Sequence, residues 1–434
     1  MNKSKSEALL ARRKNAVANG VGVFNTATVQ SANGATIIDV DGNELIDFTG
    51  GIGVANAGHC PQPVIDAIVE QANKYIHTSF NVVTYEPYIA LCEKLNSLFP
   101  HGGKAKTMLV STGAEAVENA IKIAKQATKR SAVICYSGAF HGRTMMAMTL
   151  TSRTSYGSGC GPFAPEVYRI DYPNFYKKAE GRNEEDFVTH ELNRLEKFFK
   201  TSVQHEDVAA IIIELVQGEG GFTVAPKGYI KGLREICDKY GIMLIFDEVQ
   251  TGFGRTAAWG ALEHYDVQPD ISTWAKSMGS GLPIGAVIGK QEVMDAAAPG
   301  TIGGTYIGNP VACAASLATI KYMEDIQLND KAKNVGDIIR ARFEALKDKY
   351  SVIGEVRGLG AMIAMEFVKD NDPQQPDYEL CSKLVNACAD RGLIVISAGV
   401  HKSVLRTLCP LVISEELLNK GLDIIEEELA KLTA

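Results

Sequence analysis

The feature that most constrains the fold is a series of short, unbroken apolar runs in the middle of the chain. The runs are rich in Val, Ile and Leu, and helical patterns lie between them. They span residues 107–112, 131–137, 208–215, 242–248 and 284–289. Apolar residues at successive positions indicate strands that are buried on both faces, and interleaved helices connect parallel strands. The sequence therefore predicts an α/β domain built on a mostly parallel sheet.

The two ends of the chain differ from this middle section. Residues 36–48 hold two apolar runs around an Asp-Gly pair, which predicts a β-hairpin. After about residue 326, helices alternate with a few strands, and a closing helix begins near 414, as in a smaller α+β domain. A lone hairpin has too few partners to be stable, so we expect it to complete that domain. The expected division is 1–58 as an N-terminal part of the small domain, 59–325 as the large domain and 326–434 as the C-terminal small domain.

The composition argues against several classes of protein. A net charge of -7 lacks the basic excess of a nucleic-acid-binding surface. No apolar run reaches the roughly 18 residues that span a membrane. The nine cysteines include no C-x-x-C pair and the eight histidines show no metal-ligand spacing, so neither a disulfide framework nor a metal site is expected. Free thiols suit a reducing cytosol, and the basic N-terminus fits a surface helix better than a transit peptide. We therefore expect a cytoplasmic protein.

Residues that directly follow the strands are the ones expected to bind a ligand, because ligands of open α/β sheets lie beyond the carboxyl ends of the strands. The first run leads into Gly113 and Ala114 at the start of a helix, where backbone N–H groups could bind a phosphate. A plain helix cap would have the same sequence. The fourth run ends in Asp247 and Glu248, a carboxylate pair that suggests function. Lys276 follows a further strand-like segment and precedes a Gly-rich loop that can approach a ligand closely. A surface lysine after a strand would show the same local sequence.

A phosphate site, a carboxylate and a lysine on one sheet edge are together the three contacts that pyridoxal phosphate requires. The phosphate anchors the cofactor, the lysine forms a Schiff base, and the carboxylate keeps the pyridine nitrogen protonated. A G-x-G-x-x-A match at 252–257 lacks both the adjoining strand and a clear helix after it, so a dinucleotide site is not expected.

Eight motifs, in order along residues 8–430, allow a family to be suggested. They are DFTGGIGVANAGH, VSTGAEAVENAIKIA, GAFHGRT, ELVQGEGGF, FDEVQTGFGRT, WAKSMGSGLP, GGTYIGNP and VLRTLCP. The chain resembles the class III (subgroup II) aminotransferases of fold type I, most closely those that act on 4-aminobutyrate. The resemblance implies a seven-stranded, mostly parallel sheet in the large domain, a smaller α+β domain formed from both termini, and pyridoxal 5'-phosphate as cofactor. It also implies a homodimer or a dimer of dimers, with active sites at the subunit interface.

The same resemblance assigns residues to the cofactor. Lys276 would be the Schiff-base lysine and proton shuttle, and Asp247 would pair with the pyridinium nitrogen. The other cofactor residues would be Gly113 and Ala114 at the phosphate, Phe140 stacked on the ring, Val249 on its opposite face, Gln250 near the phenolate oxygen, and Thr305 reaching the phosphate of the neighbouring subunit. Two of these positions depart from the family pattern, which often has Ser in place of Ala114 and usually Tyr in place of Phe140.

Substrate choice is assigned to Ile52, Arg143, Glu219 and Arg406. Arg143 would hold the distal carboxylate of 4-aminobutyrate, and Arg406 the α-carboxylate of glutamate or 2-oxoglutarate. A buried, unpaired Arg406 would cost about 3–5 kcal/mol, so Glu219 is expected to pair with it and to swing away when an α-carboxylate arrives. The expected reaction transfers the amino group of 4-aminobutyrate to 2-oxoglutarate, giving succinate semialdehyde and L-glutamate.

Three alternatives remain open. The donors 5-aminovalerate, ornithine and β-alanine differ from 4-aminobutyrate by a methylene or one substituent, and a methylene is worth only about 1–3 kcal/mol of discrimination. A racemase or epimerase dependent on the same cofactor would need no 2-oxo acid, but it has no use for two carboxylate sites. A cofactor-binding protein without activity would be expected to lose Lys276 or Asp247, and both are present.

Overall fold

The central sheet of the computed structural model, which describes residues 3–434, is accompanied by helices and by three smaller sheets, two of four strands and one of two. The strands are β1 (Ser31–Asn33), β2 (Thr36–Ile38), β3 (Glu44–Asp47), β4 (Ala105–Val110), β5 (Ala132–Tyr136), β6 (Val167–Ile170), β7 (Val208–Ile213), β8 (Val216–Gln217), β9 (Thr223–Val224), β10 (Met243–Asp247), β11 (Ile271–Trp274), β12 (Gly285–Lys290), β13 (Ile353–Leu359), β14 (Met362–Phe367), β15 (Leu393–Ile394), β16 (Ile396–Ala398) and β17 (Val404–Thr407).

Helices occur between most of these strands and at both ends of the chain. They are α1 (Ser4–Ala16), α2 (Gly50–Gly53), α3 (Gln62–Lys74), α4 (Glu86–Leu98), α5 (Gly113–Thr128), α6 (Met145–Leu150), α7 (Thr154–Gly157), α8 (Phe175–Lys178), α9 (Glu184–Thr201), α10 (Lys227–Tyr240), α11 (Gln291–Met294), α12 (Pro310–Asp325), α13 (Leu328–Lys349), α14 (Tyr378–Asp390) and α15 (Glu415–Thr433). Short 3-10 turns span His205–Asp207, Ala261–His264 and Lys276–Gly279.

Seven strands form the central sheet in the order β4-β12-β11-β10-β7-β5-β6. Strand β12 runs antiparallel to both of its neighbours, and the other adjacent pairs are parallel. The predicted mostly parallel α/β sheet is therefore confirmed. The apolar runs did not indicate edge strand β6, because its residues are only half-buried and its sequence includes Arg169.

The unbroken apolar runs are explained by helices on both faces of this sheet. Every residue of β7 is buried, and alternate side chains belong to different hydrophobic clusters. Ala210 and Ile212 pack in the cluster that includes α5, whereas Ile211 and Ile213 pack in the larger cluster on the other face. A strand that is buried on both faces has no polar position, which is the pattern that the sequence shows.

The two ends of the chain meet in one of the smaller sheets. Strands β2 and β3 form the predicted hairpin, and β3 pairs in parallel with β15, so that Ile46 lies opposite Leu393. Strands β13, β14, β17 and β16 form a second, antiparallel sheet nearby in the chain. This pairing supports the division at residues 58 and 325, which stays a prediction. The first two residues of its N-terminal segment lie outside the described part of the chain.

Two other features of the fold bear on the environment of the protein. Within residues 3–434, none of the helices combines the length and the apolar character needed to cross a membrane. All nine cysteines are free thiols, and Cys135 and Cys409 are buried in the core as expected.

Candidate active site

A cavity of about 570 Å³ opens at one edge of the central sheet. The segments that follow β4, β5, β7, β10 and β11 make its walls. These five strands run in the same direction, so their carboxyl ends meet at this edge. The volume lies within the ~300–1,000 Å³ range of sites for small molecules and cofactors.

The N-terminus of α5 provides an anion site in this cavity. Thr112 caps the helix, because its hydroxyl oxygen accepts a hydrogen bond from the N–H of Glu115 at 3.1 Å. The Glu115 carboxylate in turn accepts from the N–H of Ser111 at 2.6 Å. These bonds fix the turn while the N–H groups of Gly113 and Ala114, in the first helical turn, have no carbonyl partner within the helix. The positive end of the helix dipole is therefore directed into the cavity.

Asp247, the last residue of β10, is held by a histidine that sequence reasoning did not single out. The Nδ1 atom of His141 lies 2.7 Å from Oδ2 of Asp247, and the N–H of Val249 donates to Oδ1 at 3.0 Å. Both side chains are buried. The Nε2 atom of His141 is buried without a hydrogen-bond partner among residues 3–434. The signal was available, since His141 directly follows Phe140 in the GAFHGRT motif.

Lys276 follows β11 and takes a backbone conformation that is unusual for a lysine. Its φ of 49° lies in the left-handed region, which costs a non-glycine residue of order 1 kcal/mol or more, a strain that active sites often contain. Burial lowers the pKa of Lys276, although the carboxylates of Glu219 and Asp247 act in the opposite direction. A lowered pKa raises the fraction of neutral amine, the form that can act as nucleophile or base.

Phe140, Val249 and Gln250 line the same cavity. The Phe140 ring meets the ring of Tyr156 edge to face, with 5.1 Å between centroids. Val249 packs so closely on the helix start that a Cβ on Gly113 would lie 3.0 Å from its Cγ1 atom. The side-chain oxygen of Gln250 is buried and has no hydrogen-bond partner in the described chain, so it is available to a ligand.

Glu214 is a second residue that sequence reasoning missed. It is buried at the end of β7 and accepts hydrogen bonds from the N–H groups of Phe140 and Gly218, both at 2.7 Å. Burial raises its pKa to about 7. The carboxyl group thus ties the segment that holds Phe140 to the loop that holds Glu219.

Glu219 and Arg406 form a largely buried ion pair at one side of the cavity. The Nη2 atom of Arg406, on β17, lies 2.7 Å from Oε1 of Glu219, and its Nη1 donates to the carbonyl of Gly218 at 3.1 Å. Burial is the largest effect and would raise the pKa of Glu219, but the charge and hydrogen bond of Arg406, together with the charges of Lys276 and Arg153, outweigh it and the pKa is lowered. The arrangement is a carboxylate-binding arginine whose partner is supplied by the chain itself.

The remaining candidate residues for substrate and cofactor binding differ in their exposure and in whether they line the cavity. Arg143 lines the cavity and is exposed, with its guanidinium 5.6 Å from the centroid of the Tyr156 ring. Ile52 is half-buried in a turn and packs on the cluster that contains Val404 and Leu408. Thr305 is exposed and is not among the residues that line the cavity.

The interpretation of Asp247 and Glu248 as a functional pair is corrected by the structure. Glu248 is buried away from the cavity lining and accepts hydrogen bonds from the hydroxyl of Thr251 and from the N–H groups of Ala261 and Leu262, the latter two at 2.9 and 2.7 Å. Successive residues at a strand end point to opposite faces, so only one of them reaches the cavity. Glu248 holds the loop after β10, and burial raises its pKa to about 7.

The groups that face the cavity fit pyridoxal phosphate. The helix start at Gly113 offers N–H donors to a phosphate, and the buried oxygen of Gln250 lacks a partner. Lys276 is the amine, and Asp247, fixed by His141, is the carboxylate. Each contact that the cofactor needs has a side chain or a helix end in the lining of this one cavity.

Comparisons with known proteins agree with this description. A family model described as "Aminotransferase class-III" matches residues 16–429. The 5-aminovalerate aminotransferase DavT of Pseudomonas putida is 46% identical over 98% of this chain and 99% of its own length, and the 4-aminobutyrate aminotransferase GabT of Escherichia coli is 44% identical over 98% of each. A solved taurine:2-oxoglutarate aminotransferase from Bifidobacterium kashiwanohense, in complex with PLP and glutamate, superposes with a TM-score of 0.92 at 26% identity and covers 99% of this chain and 98% of that one.

Proposed function

The chain belongs to the class III aminotransferases, which use pyridoxal phosphate, and we propose that it moves the amino group of 4-aminobutyrate to 2-oxoglutarate. The products are succinate semialdehyde and L-glutamate. The single observation that carries this proposal is the ion pair between Glu219 and Arg406. The similarity to GabT of Escherichia coli and to the probable 4-aminobutyrate aminotransferase of Bacillus subtilis, at 44% and 42% identity, supports it.

The ion pair addresses the problem of two unlike substrates in one site. A donor without an α-carboxylate would leave a buried arginine uncompensated at a cost of about 3–5 kcal/mol. Glu219 removes that cost while 4-aminobutyrate is bound. In the second half-reaction the α-carboxylate of 2-oxoglutarate replaces Glu219 on Arg406. Arg143, exposed at the cavity, holds the distal carboxylate in both halves.

The chain's own groups carry the proton transfers. Pyridoxal phosphate would supply, when bound, an aldehyde carbon that accepts the amino group and an electron-withdrawing ring that stabilises the substrate carbanion. The Nζ atom of Lys276, whose pKa burial lowers, would remove the proton from the substrate carbon that bears the amine and deliver it to the cofactor carbon that receives the amino group. Asp247, fixed by His141, holds a proton on the ring nitrogen.

A second donor is supported by a specific observation. DavT of Pseudomonas putida, which is 46% identical to this chain, is a 5-aminovalerate aminotransferase, and its donor is one methylene longer than 4-aminobutyrate. A methylene is worth about 1–3 kcal/mol in a binding pocket, so a substantial rate with both donors is compatible with the site. A racemase is not favoured, because the family membership and the carboxylate-binding pair both belong to transamination.

The assembly that fits this function is a homodimer or a dimer of dimers. Thr305 lies on an exposed surface with large apolar neighbours, including Tyr306 at 69% and Val82 at 79% exposure. The ring of His77 lies 5.1 Å from that of Tyr306, so the two segments form one patch. A second copy that covers this patch would bring its Thr305 to the phosphate. The free thiols support a cytoplasmic location.

The experiment that tests the proposal compares donors at a fixed concentration of 2-oxoglutarate. We expect kcat/KM for 4-aminobutyrate to exceed the values for β-alanine and ornithine by about tenfold or more, the effect of ~1.4 kcal/mol. A higher value for 5-aminovalerate would move the assignment to the second donor. Absence of glutamate formation with every one of these donors would refute the function.

A further inference from the structure

Glu219 lies between two cavities, and only one of them is the substrate cavity. Besides the site described above, it lines a second cavity of about 360 Å³. Its carbonyl oxygen accepts a hydrogen bond from the N–H of Gly399 at 2.9 Å, and glycines stand on either side of it at positions 218 and 220. The backbone is thus anchored, and the side chain borders both cavities.

Arg153 lines this second cavity and has no carboxylate partner among the described residues. It is half-buried, and its guanidinium lies 5.7 Å from the centroid of the Tyr156 ring. Across residues 3–434 it takes part in no ion pair and no side-chain hydrogen bond. Its charge nevertheless acts on Glu219: the pKa of that carboxyl group, which burial would raise, is lowered by Arg406, Lys276 and Arg153.

We propose that Arg153 is the alternative partner of Glu219 during the half-reaction of the dicarboxylate substrate. When an α-carboxylate occupies Arg406, the Glu219 side chain turns into the second cavity and pairs with Arg153. This inference rests on the proposed function, since it presupposes that Arg406 receives the α-carboxylate. Arg153 is a positioning residue that acts through Glu219.

The physical reason is the cost of a displaced carboxylate. A charge that leaves one buried ion pair without entering another loses its partner and regains only part of its hydration. A waiting cation offsets that loss and therefore makes it easier for 2-oxoglutarate to displace Glu219. With 4-aminobutyrate bound, Glu219 stays on Arg406 as in the free enzyme, so the attraction of Arg153 for Glu219 is the same in both states and does not change the binding of this substrate. The effect of Arg153 is thus confined to one of the two half-reactions.

The test uses two inert ligands that differ in the carboxylate at issue. Glutarate has two carboxylates and butyrate has one, and neither carries an amino or keto group. Their binding to the holoenzyme is measured by calorimetry for the wild type, Arg153→Gln, Arg153→Lys and Lys402→Gln. Lys402 lines the rim of the same cavity but is exposed, so it controls for a general change of charge.

We expect Arg153→Gln to weaken glutarate binding by about fivefold, which corresponds to ~1 kcal/mol, and to leave butyrate binding unchanged. Arg153→Lys should restore most of the loss, and Lys402→Gln should change neither ligand. Single-turnover rates should follow the same division, with the 2-oxoglutarate half-reaction slowed and the 4-aminobutyrate half-reaction unaffected.

Two results would overturn the inference while leaving the proposed function intact. Equal weakening of glutarate and butyrate in Arg153→Gln would mean that Arg153 binds the distal carboxylate directly. No change with either ligand would mean that Glu219 does not depend on Arg153. A wild type that fails to transfer an amino group to 2-oxoglutarate would instead refute the proposed function, and the inference with it.

Discussion

At the residue scale, Lys276 combines a left-handed backbone, burial and a lowered pKa, and we assign it the proton transfer. Replacing it by Ala removes the only group proposed to move that proton. We expect Lys276→Ala to lower kcat by roughly 10²–10⁴-fold or more, while the phosphate site still binds the cofactor. Turnover and cofactor retention after gel filtration are the measurements. A variant with full turnover would contradict the assignment.

Glu248 gives the pH prediction at this scale. Burial raises the pKa of Glu248 from its ordinary value of 4.5 to about 7, so the folded state binds the proton more tightly than the unfolded state. The stabilisation that this proton provides is present at low pH and is lost as the pH rises from about 4.5 to about 7. The free energy of unfolding falls by ~3 kcal/mol at most over this range.

Glu248→Gln should therefore flatten the fall of stability between pH 5 and pH 7. Denaturant midpoints measured at several pH values check this, and Glu206→Gln, at an exposed glutamate, is the control. An unchanged slope in Glu248→Gln would mean that the buried carboxyl does not titrate in this window. Because Glu214 is also buried with a pKa raised to about 7, part of the slope should remain.

The residues that sequence reasoning found at the site are those with an unusual type for their place, such as a lysine or a carboxylate at a strand end. His141 and Glu214 escaped because their importance depends on partners more than 70 positions away: Asp247 for His141, and Phe140 for Glu214. Glu248 was grouped with Asp247 because sequence adjacency does not reveal that the two side chains have different surroundings. In each case the role of the residue depends on the groups that surround it in the folded structure, which the sequence alone does not reveal.

At the element scale, the start of α5 is the anchor for the cofactor phosphate. Thr112→Ala removes the hydroxyl that accepts a hydrogen bond from the N–H of Glu115, and it should lower the free energy of unfolding by about 1 kcal/mol. Because this bond fixes the turn at Gly113, the same variant should also bind the cofactor more weakly. Thr128→Ala, at the other end of the same helix, is the matched control, since its hydroxyl donates to the carbonyl of Ala124 and accepts from the N–H of Arg130, neither of which belongs to the cavity. Equal effects on cofactor binding would contradict the anchor.

The same helix start carries a departure from the family pattern that can be reversed. Ala114 has no hydroxyl to offer a phosphate, so Ala114→Ser adds a donor at the site. One net hydrogen bond is worth about 1 kcal/mol, and we expect the cofactor dissociation constant to fall by about fivefold. A rise in that constant, measured by titration of apoprotein, would show that the position is too crowded by Gly142 for a larger side chain.

The strands buried on both faces were predictable because short apolar runs without polar alternation are typical of such strands, and β7 is the clearest example. The direction of β12 was not predictable, since an antiparallel strand that is covered on both faces has the same apolar composition as a parallel one. Edge strand β6 was missed for the opposite reason: with half-buried residues, it lacks the apolar run that marks the centre of the sheet.

At the scale of the whole molecule, the proposed interface with a second copy depends on the exposed apolar patch around Tyr306. We expect Val82→Asp to shift the assembly toward the monomer in light scattering and to lower cofactor retention with it. Val400→Asp places the same charge on another exposed valine and should leave the mass unchanged. A Val82→Asp protein with the wild-type mass would remove this patch from the interface.

The measurement that tests the central claim most directly is a half-reaction on purified holoenzyme, with 4-aminobutyrate added and no acceptor present. The account predicts one equivalent of succinate semialdehyde per active site, a change in the absorbance of the bound cofactor, and its reversal by 2-oxoglutarate with release of one equivalent of glutamate. If 4-aminobutyrate leaves the absorbance unchanged while 5-aminovalerate or ornithine changes it, the assignment of 4-aminobutyrate as the amino donor is wrong. If none of these amines reacts, the account of the site is contradicted.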